Sequence, residues 1–147
     1  MTDIKEKDLL FGEKNEIELF EVFKKHIDSK FCKTGKFNEM DFISPTSYLE
    51  LKSRNCKFTD YKEIMIGENK IRFAEKTDKN VFLAWKFTDG LYFYRFNKED
   101  ITNGKIIFKM GGRCDRGRDE RKTTAFINSE LLKEIKVDLP KSTAKGI

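Results

Sequence analysis

Histidine and cysteine are scarce in this chain. His26 is the only histidine, and the three cysteines lie far apart at Cys32, Cys56 and Cys114. Because no two cysteines form a Cys-x-x-Cys pair, the sequence does not predict a zinc site. A single histidine, late in a predicted helix, also disfavours a histidine-based hydrolase. We expect the three cysteines to be reduced thiols of a cytosolic protein.

Long apolar runs are also missing. No stretch approaches the roughly 20 apolar residues that a membrane-spanning helix needs. The chain begins Met-Thr-Asp-Ile-Lys-Glu-Lys-Asp, which contains no apolar signal region. We therefore expect no membrane partner and no secretion.

Charge is abundant instead. Charged residues make up 37% of the 147 residues, and 30 basic against 25 acidic side chains give a net charge of +5. That length predicts a single domain, 1–147, with room for a hydrophobic core. The basic balance, with a pI near 9.0, is compatible with a polyanion partner without requiring one.

The most informative stretch is residues 38–54, where two strand-like runs flank the turn signal Ser-Pro-Thr-Ser at 44–47. A hairpin centred on this turn pairs Asp41 with Glu50, and Phe42 with Leu49. Side chains alternate between the faces of a strand, so one face carries Asp41, Glu50 and Lys52. The other face is predicted to carry the apolar residues Met40, Phe42, Leu49 and Leu51.

Two carboxylates opposite each other on a hairpin repel. A lysine on the same face offsets part of the repulsion, and a bound divalent cation removes more of it. Mg²⁺ prefers oxygen ligands and commonly takes one or two carboxylates together with phosphate and water oxygens. A metal beside a lysine is suited to attack on a phosphodiester.

Asp41, eight intervening residues and then Glu50-Leu51-Lys52 resemble the PD-(D/E)XK nuclease superfamily. Glu50-Leu51-Lys52-Ser53-Arg54 is most similar to its Holliday-junction resolvase-like members. Met40 stands where the superfamily usually has proline, a position that is not a metal ligand. The resemblance implies that Asp41, Glu50 and the Leu51 carbonyl hold Mg²⁺, for which Mn²⁺ substitutes, and that Lys52 orients or activates the attacking water. The alternative is an ordinary solvated hairpin face.

A first helix is predicted over residues 12–28, with Ile17, Phe23 and Ile27 on the side of Phe20. Glu13 and Glu16 fall on the same side, which is unusual for carboxylates. They could simply complement the helix dipole at a solvated end. Resolvase-like families carry a glycine followed four residues later by a metal-binding or metal-orienting glutamate, and Gly12 and Glu16 have that spacing. The resemblance therefore implies a catalytic, metal-binding role for Glu16.

The other elements are predicted in a definite order. A short strand at 30–34 precedes the hairpin, a second helix spans 68–79 with Ile71 and Ala74 inward, and a central strand at 81–87 is followed by strands at 91–96, 105–110 and 123–127. A terminal helix is predicted from Ser129 to Lys136, capped by Asn128 or Ser129. This α+β (α/β) order matches the αβββαβ core of the restriction-endonuclease-like fold, a mixed sheet flanked by helices. The core covers about 10–97, the β-hairpin and helix extension covers 98–139, and the tail 140–147 is predicted to be disordered.

Several basic residues are candidates for DNA contact. Lys57 and Lys62 lie near the aromatic residues Phe58 and Tyr61, a composition that can bind a nucleic-acid backbone or bases but more often covers a core edge. The resemblance makes Lys70 a candidate in the second helix. The glycine-rich segment 111–122 has five basic and three acidic residues and reads as a mobile hairpin loop. Its basic residues suit phosphate contact, although a solvated, self-paired loop is an equal alternative; they are Arg113, Arg116, Arg118, Arg121 and Lys122.

Together these features predict a Mg²⁺-dependent endodeoxyribonuclease with DNA as its partner. The resemblance further implies a homodimer that cuts two strands symmetrically. A homing or nicking endonuclease of the same fold, and a catalytically silent DNA-binding module, stay open as alternatives. The expected location is the cytoplasm, or the nucleoid or cytoplasm of a host cell if a phage encodes the chain.

Overall fold

The structure, a computed structural model, describes residues 17–35, 39–111 and 122–136. Helix α1 covers 17–26 and buries Leu19 and Phe23 against the sheet. Ile17 was predicted to face inward, but its side chain is 67% exposed. The buried face follows Leu19 and Phe23, one helical turn apart, so Ile17 falls off it. The part of the predicted helix before residue 17, including Gly12, Glu13 and Glu16, lies outside the described residues.

A mixed sheet of six strands forms the centre of the structure. Its strands are β1 (Cys32–Lys33), β2 (Phe42–Ile43), β3 (Ser47–Ser53), β5 (Asn80–Phe87), β6 (Gly90–Arg95) and β9 (Lys133–Ile135), in the spatial order β1-β2-β3-β5-β6-β9. Strands β3 and β5 run parallel, whereas the other neighbours run antiparallel. The parallel pair needs a crossover connection, and this connection carries the second helix.

Helix α2 (Glu68–Lys76) ends three residues earlier than predicted but buries Ile71 and Ala74, as predicted. It packs on one face of the sheet in the larger core, whereas α1 covers the other face in the smaller core. Strand β5 contributes to both cores, with Trp85 in the larger and Ala84 in the smaller. The prediction of a central strand covered on both faces is therefore confirmed.

A second sheet of three strands packs into the larger core beside α2. It consists of β4 (Glu63–Gly67), β8 (Lys122–Asn128) and β7 (Ile106–Gly111), in the order β4-β8-β7. The pairing of β7 with β8 confirms the predicted hairpin, and a short helix α3 (Glu99–Thr102) precedes it. Strand β4 was not predicted, because the segment from Cys56 to Ile66 shows no sustained periodicity.

The terminal helix predicted over 129–136 is wrong. Ser129–Leu131 forms only a 3₁₀ turn, and the chain then continues as β9, which pairs with β6. Asn128 does cap the turn, since its side chain accepts a hydrogen bond from the Glu130 N–H. Pairing with the edge of β6 satisfies the backbone of β9, and Ile135 is buried in the smaller core. These competing interactions override the helical spacing of the apolar residues.

The fold class is otherwise as predicted: a mixed central sheet flanked by helices, consistent with the restriction-endonuclease-like fold. Within the described ranges, neither α1 nor any later helix has the length and apolar character needed to cross a membrane.

Candidate active site

The turn between β2 and β3 is fixed by polar contacts from outside the hairpin. Asp28, just after α1, accepts hydrogen bonds from Ser44 Oγ at 2.5 Å and Thr46 Oγ1 at 3.3 Å. The Ser44 bond is the main reason that the pKa of Asp28 lies below its ordinary value. Lys79 Nζ, ahead of β5, donates to the Ser44 carbonyl at 2.9 Å. The hairpin is thereby held in one register.

That register is the predicted one near the turn, where Phe42 pairs with Leu49. It changes at Asp41, whose N–H also donates to the Leu49 carbonyl at 3.0 Å. Asp41 and Phe42 therefore both meet one residue of β3, which is the arrangement of a β-bulge. Thr34 supports the bulge, because its hydroxyl donates to the carbonyls of Met40 and Asp41. Nothing in the sequence pattern singles out Thr34 for this contact.

The bulge corrects the prediction for Met40. We expected Met40 on the same face as Phe42, but Met40 packs in the larger core and Phe42 in the smaller one. One extra residue in a strand reverses the alternation of side chains beyond it.

The Asp41 carboxylate is aimed at β3 by the same bulge. Its Oδ2 accepts the Leu51 N–H at 2.8 Å, while the Asp41 N–H donates to the Leu49 carbonyl. Asp41 therefore bonds to the residues on both sides of Glu50. The predicted proximity of Asp41 and Glu50 is present, although it arises through a bulge and not through a regular cross-strand pair.

Glu50 lies in the middle of β3, on the face that α2 covers, and only 6% of its side chain is exposed. Two lysines contact the same carboxylate oxygen. Lys52 Nζ, two residues along the strand, lies 3.3 Å from Glu50 Oε2, and Lys70 Nζ, from the first turn of α2, lies 3.5 Å from it. The site thus draws on two elements that are distant in sequence.

Burial and the neighbouring charge make ionisation of Glu50 unfavourable. Desolvation, followed by repulsion from Asp41, raises the pKa of Glu50 from its ordinary value of 4.5 to about 7. Lys52 and Lys70 act in the opposite direction and offset part of this shift. A divalent cation bound at this carboxylate pair would offset more of the rise in pKa.

The two lysines differ in how exposed their side chains are and in how many contacts hold them. Lys70 has a side chain 15% exposed and also donates to the Glu39 carbonyl, so α2 and the segment before β2 both fix it. The Lys52 side chain is 34% exposed and ends at the rim of the site. Lys52 therefore has access to a group that approaches from solvent, whereas Lys70 mainly holds Glu50.

The other candidates lie elsewhere. Lys57 and Lys62 are exposed on either side of the 3₁₀ turn Phe58–Asp60. Phe58 stacks on Tyr92 with ring centroids 3.8 Å apart, so it covers a core edge, while Tyr61 is 62% exposed. The remaining candidates, Glu16, Arg113, Arg116, Arg118 and Arg121, lie outside the described residues. The backbone of Lys122 belongs to β8, but its side chain is also outside what the structure describes.

The residues present fit a hard divalent cation. Asp41 and Glu50 supply carboxylate oxygens, and the Leu51 carbonyl points to the same side of β3 as its N–H, toward Asp41. This all-oxygen set suits Mg²⁺, which binds through one or two carboxylates and completes its shell with water and phosphate. In the described part of the chain, no group of three acidic, histidine or cysteine residues assembles that could hold a metal.

Comparison with protein families gives a match over most of the chain. Residues 13–137 match the model of a family described as "Phage putative PDDEXK endonuclease". The match spans the helix preceding the hairpin, all the site elements and both sheets. No curated protein matches the sequence.

Proposed function

Because the chain belongs to this PDDEXK endonuclease family, we propose that it hydrolyses DNA phosphodiester bonds in a Mg²⁺-dependent reaction, with Mn²⁺ able to substitute. One observation carries the proposal: the buried Glu50 carboxylate, next to Asp41, is contacted by both Lys52 and Lys70. A structural role would favour a neutral side chain at this position, since an ionised carboxylate in a core is costly.

Asp41, Glu50 and the Leu51 carbonyl would hold the metal. Mg²⁺ held there would supply Lewis-acid stabilisation of the phosphoryl group and would make water more acidic. The protein supplies the orientation: the Leu51 N–H fixes the Asp41 carboxylate, and Lys70 fixes Glu50 from α2. Glu16 would complete the shell, directly or through water.

Lys52 would act on the reacting groups. Its ammonium group lies at the rim, on the same strand face as Glu50. From there it can orient the attacking water and stabilise the negative charge that develops on the phosphate. Lys70 would be a positioning residue, because it reaches Glu50 but is held to the Glu39 carbonyl.

For the substrate, the likeness of Glu50-Leu51-Lys52-Ser53-Arg54 to resolvase-like nucleases favours a branched DNA, cut by a homodimer. A homing or nicking endonuclease uses the same site on another DNA. A silent DNA-binding module is disfavoured, because Asp41, Glu50 and Lys52 are all retained and lie together.

The test is cleavage of four-way junction, linear duplex, nicked duplex and single-stranded DNA in Mg²⁺. We expect wild-type protein to cut at least one of them, with the junction preferred. Glu50→Gln is the matched control, since it keeps the shape of the side chain and removes the charge. Absence of cleavage on all four DNAs, or equal cleavage by the variant, contradicts the proposal.

A further inference from the structure

A groove of about 800 Å³ opens beyond the carboxyl end of β3, between β4 and the end of β8. Its size falls within the roughly 300–1,000 Å³ of small-molecule sites. Its lining includes Arg54, Tyr61, Lys62, Met65, Phe87 and Phe126. None of them belongs to the carboxylate–lysine cluster described above.

The groove lies near the end of β3 that carries Lys52. Arg54 follows directly after the last residue of β3, two residues beyond Lys52 in the chain. Arg54 Nη2 and Trp85 Nε1 each donate to the Met65 carbonyl at 3.4 Å, and Trp85 is the register partner of Lys52. These bonds place β4, and therefore the groove, beside the lysine end of the site.

The lining combines apolar surface with positive charge. Tyr61 is 62% exposed and Met65 37% exposed, so both present apolar surface to the groove. Lys62 is exposed next to Tyr61. Of the two acidic lining residues, Glu63 is paired with Lys109 at 3.3 Å. Glu130 lies on the 3₁₀ turn after β8, where the N–H of the preceding Ser129 donates to the Lys62 carbonyl at 2.9 Å.

We infer that this groove receives an unpaired nucleotide next to the scissile phosphate, with its base on Tyr61 and its phosphate at Lys62. This inference rests on the proposed function. The exposed Lys62 can pair with a phosphodiester, and an aromatic ring beside a basic side chain is the usual means of holding single-stranded DNA. A base inside a duplex is stacked on both faces and has to leave the helix to reach such a ring. The substrate class is therefore DNA with an unpaired segment at the cut, such as a flap, a bulge or an open junction.

The experiment compares binding of full-length protein to a duplex and to the same duplex carrying a three-nucleotide bulge, in Ca²⁺ to prevent cleavage. We expect wild-type protein to prefer the bulged DNA about tenfold, since stacking of one base on an aromatic ring accounts for that order of affinity. Tyr61→Ala should abolish the preference and Tyr61→Phe should keep it. Lys62→Ala should weaken binding of bulged DNA, whereas Lys133→Ala, an exposed lysine on β9, should not.

A fluorescent base gives a second readout. With 2-aminopurine in the bulge, binding of wild-type protein or Tyr61→Phe should quench the fluorescence, and binding of Tyr61→Ala should not. Equal affinities of wild type for the two DNAs, or an unchanged preference in Tyr61→Ala, would overturn the inference. Cleavage in Mg²⁺ separates the two levels: a wild-type protein that cuts no DNA contradicts the proposed function, whereas cutting without any role for Tyr61 contradicts only the groove.

Discussion

Replacing Glu50 with glutamine should stabilise the metal-free protein at neutral and alkaline pH. The folded state raises the pKa of Glu50 from 4.5 to about 7, so it binds the proton more tightly than the unfolded chain does. The stabilisation that protonated Glu50 contributes is therefore fully present below pH 4.5. It falls as the pH rises to about 7 and is absent above that pH. Each unit of pKa corresponds to about 1.4 kcal/mol, so ionising Glu50 costs about 3 kcal/mol.

Glutamine at position 50 does not ionise, so its variant escapes this loss. Urea denaturation in EDTA at pH 5 and pH 8 measures the effect. Between these two pH values, wild-type protein should lose about 2–3 kcal/mol of unfolding free energy relative to Glu50→Gln. Using the difference cancels the contribution of other groups, including Asp28, whose lowered pKa acts in the opposite sense at acid pH.

Glu99, an exposed residue of α3, offers the matched control. Glu99→Gln should follow the wild-type pH dependence at every pH. Parallel curves for wild type and Glu50→Gln would refute the reasoning, because they would mean that burial and Asp41 do not disfavour the charged form. If Glu50→Gln lost more unfolding free energy than wild type between pH 5 and pH 8, the result would contradict the reasoning more strongly.

Three further predictions concern metal, chemistry and DNA. Saturating Mg²⁺ should raise the thermal stability of wild type, by about 1.4 kcal/mol at ten times the Kd, and much less that of Asp41→Ala; equal shifts would place the metal elsewhere. Lys52→Ala should keep the Mg²⁺-induced stabilisation but slow single-turnover cleavage by roughly 100-fold or more, and an unimpaired rate would remove its assigned role. Changing Arg116 and Arg118 together to alanine should weaken DNA binding and flatten its salt dependence by up to about one unit of slope per lost contact, with metal affinity unchanged. An unaltered slope would favour the alternative prediction for segment 111–122, a solvated, self-paired loop.

The parts of the site that local chemistry specifies could be predicted from the sequence. The turn residues at 44–47 set the register that pairs Phe42 with Leu49, and period-two alternation put Glu50 and Lys52 on one face. The face on which Met40 packs could not be predicted in the same way. A bulge depends on which backbone groups find partners in three dimensions, here the Thr34 hydroxyl and the Leu49 carbonyl.

Elements whose state depends on a distant partner were the least predictable. The stretch after Asn128 has a capping residue and helical spacing, yet it becomes a strand because β6 has a free edge. Strand β4 is short and defined by its pairing with β8, about 60 residues later in the chain. Lys70 is similar: its position in α2 follows from the helix pattern, but its contact with Glu50 depends on how α2 packs on the sheet.

The most direct test of the central claim is single-turnover cleavage in Mg²⁺ by wild type, Asp41→Asn and Glu50→Gln, on the DNA that wild type prefers. If the Asp41–Glu50 pair is a metal-dependent phosphodiesterase centre, wild type cuts in Mg²⁺ and not in EDTA. Both variants should then lose cleavage while still binding the DNA and unfolding cooperatively. Cleavage at the wild-type rate by either variant, or by wild type in EDTA, would contradict the account.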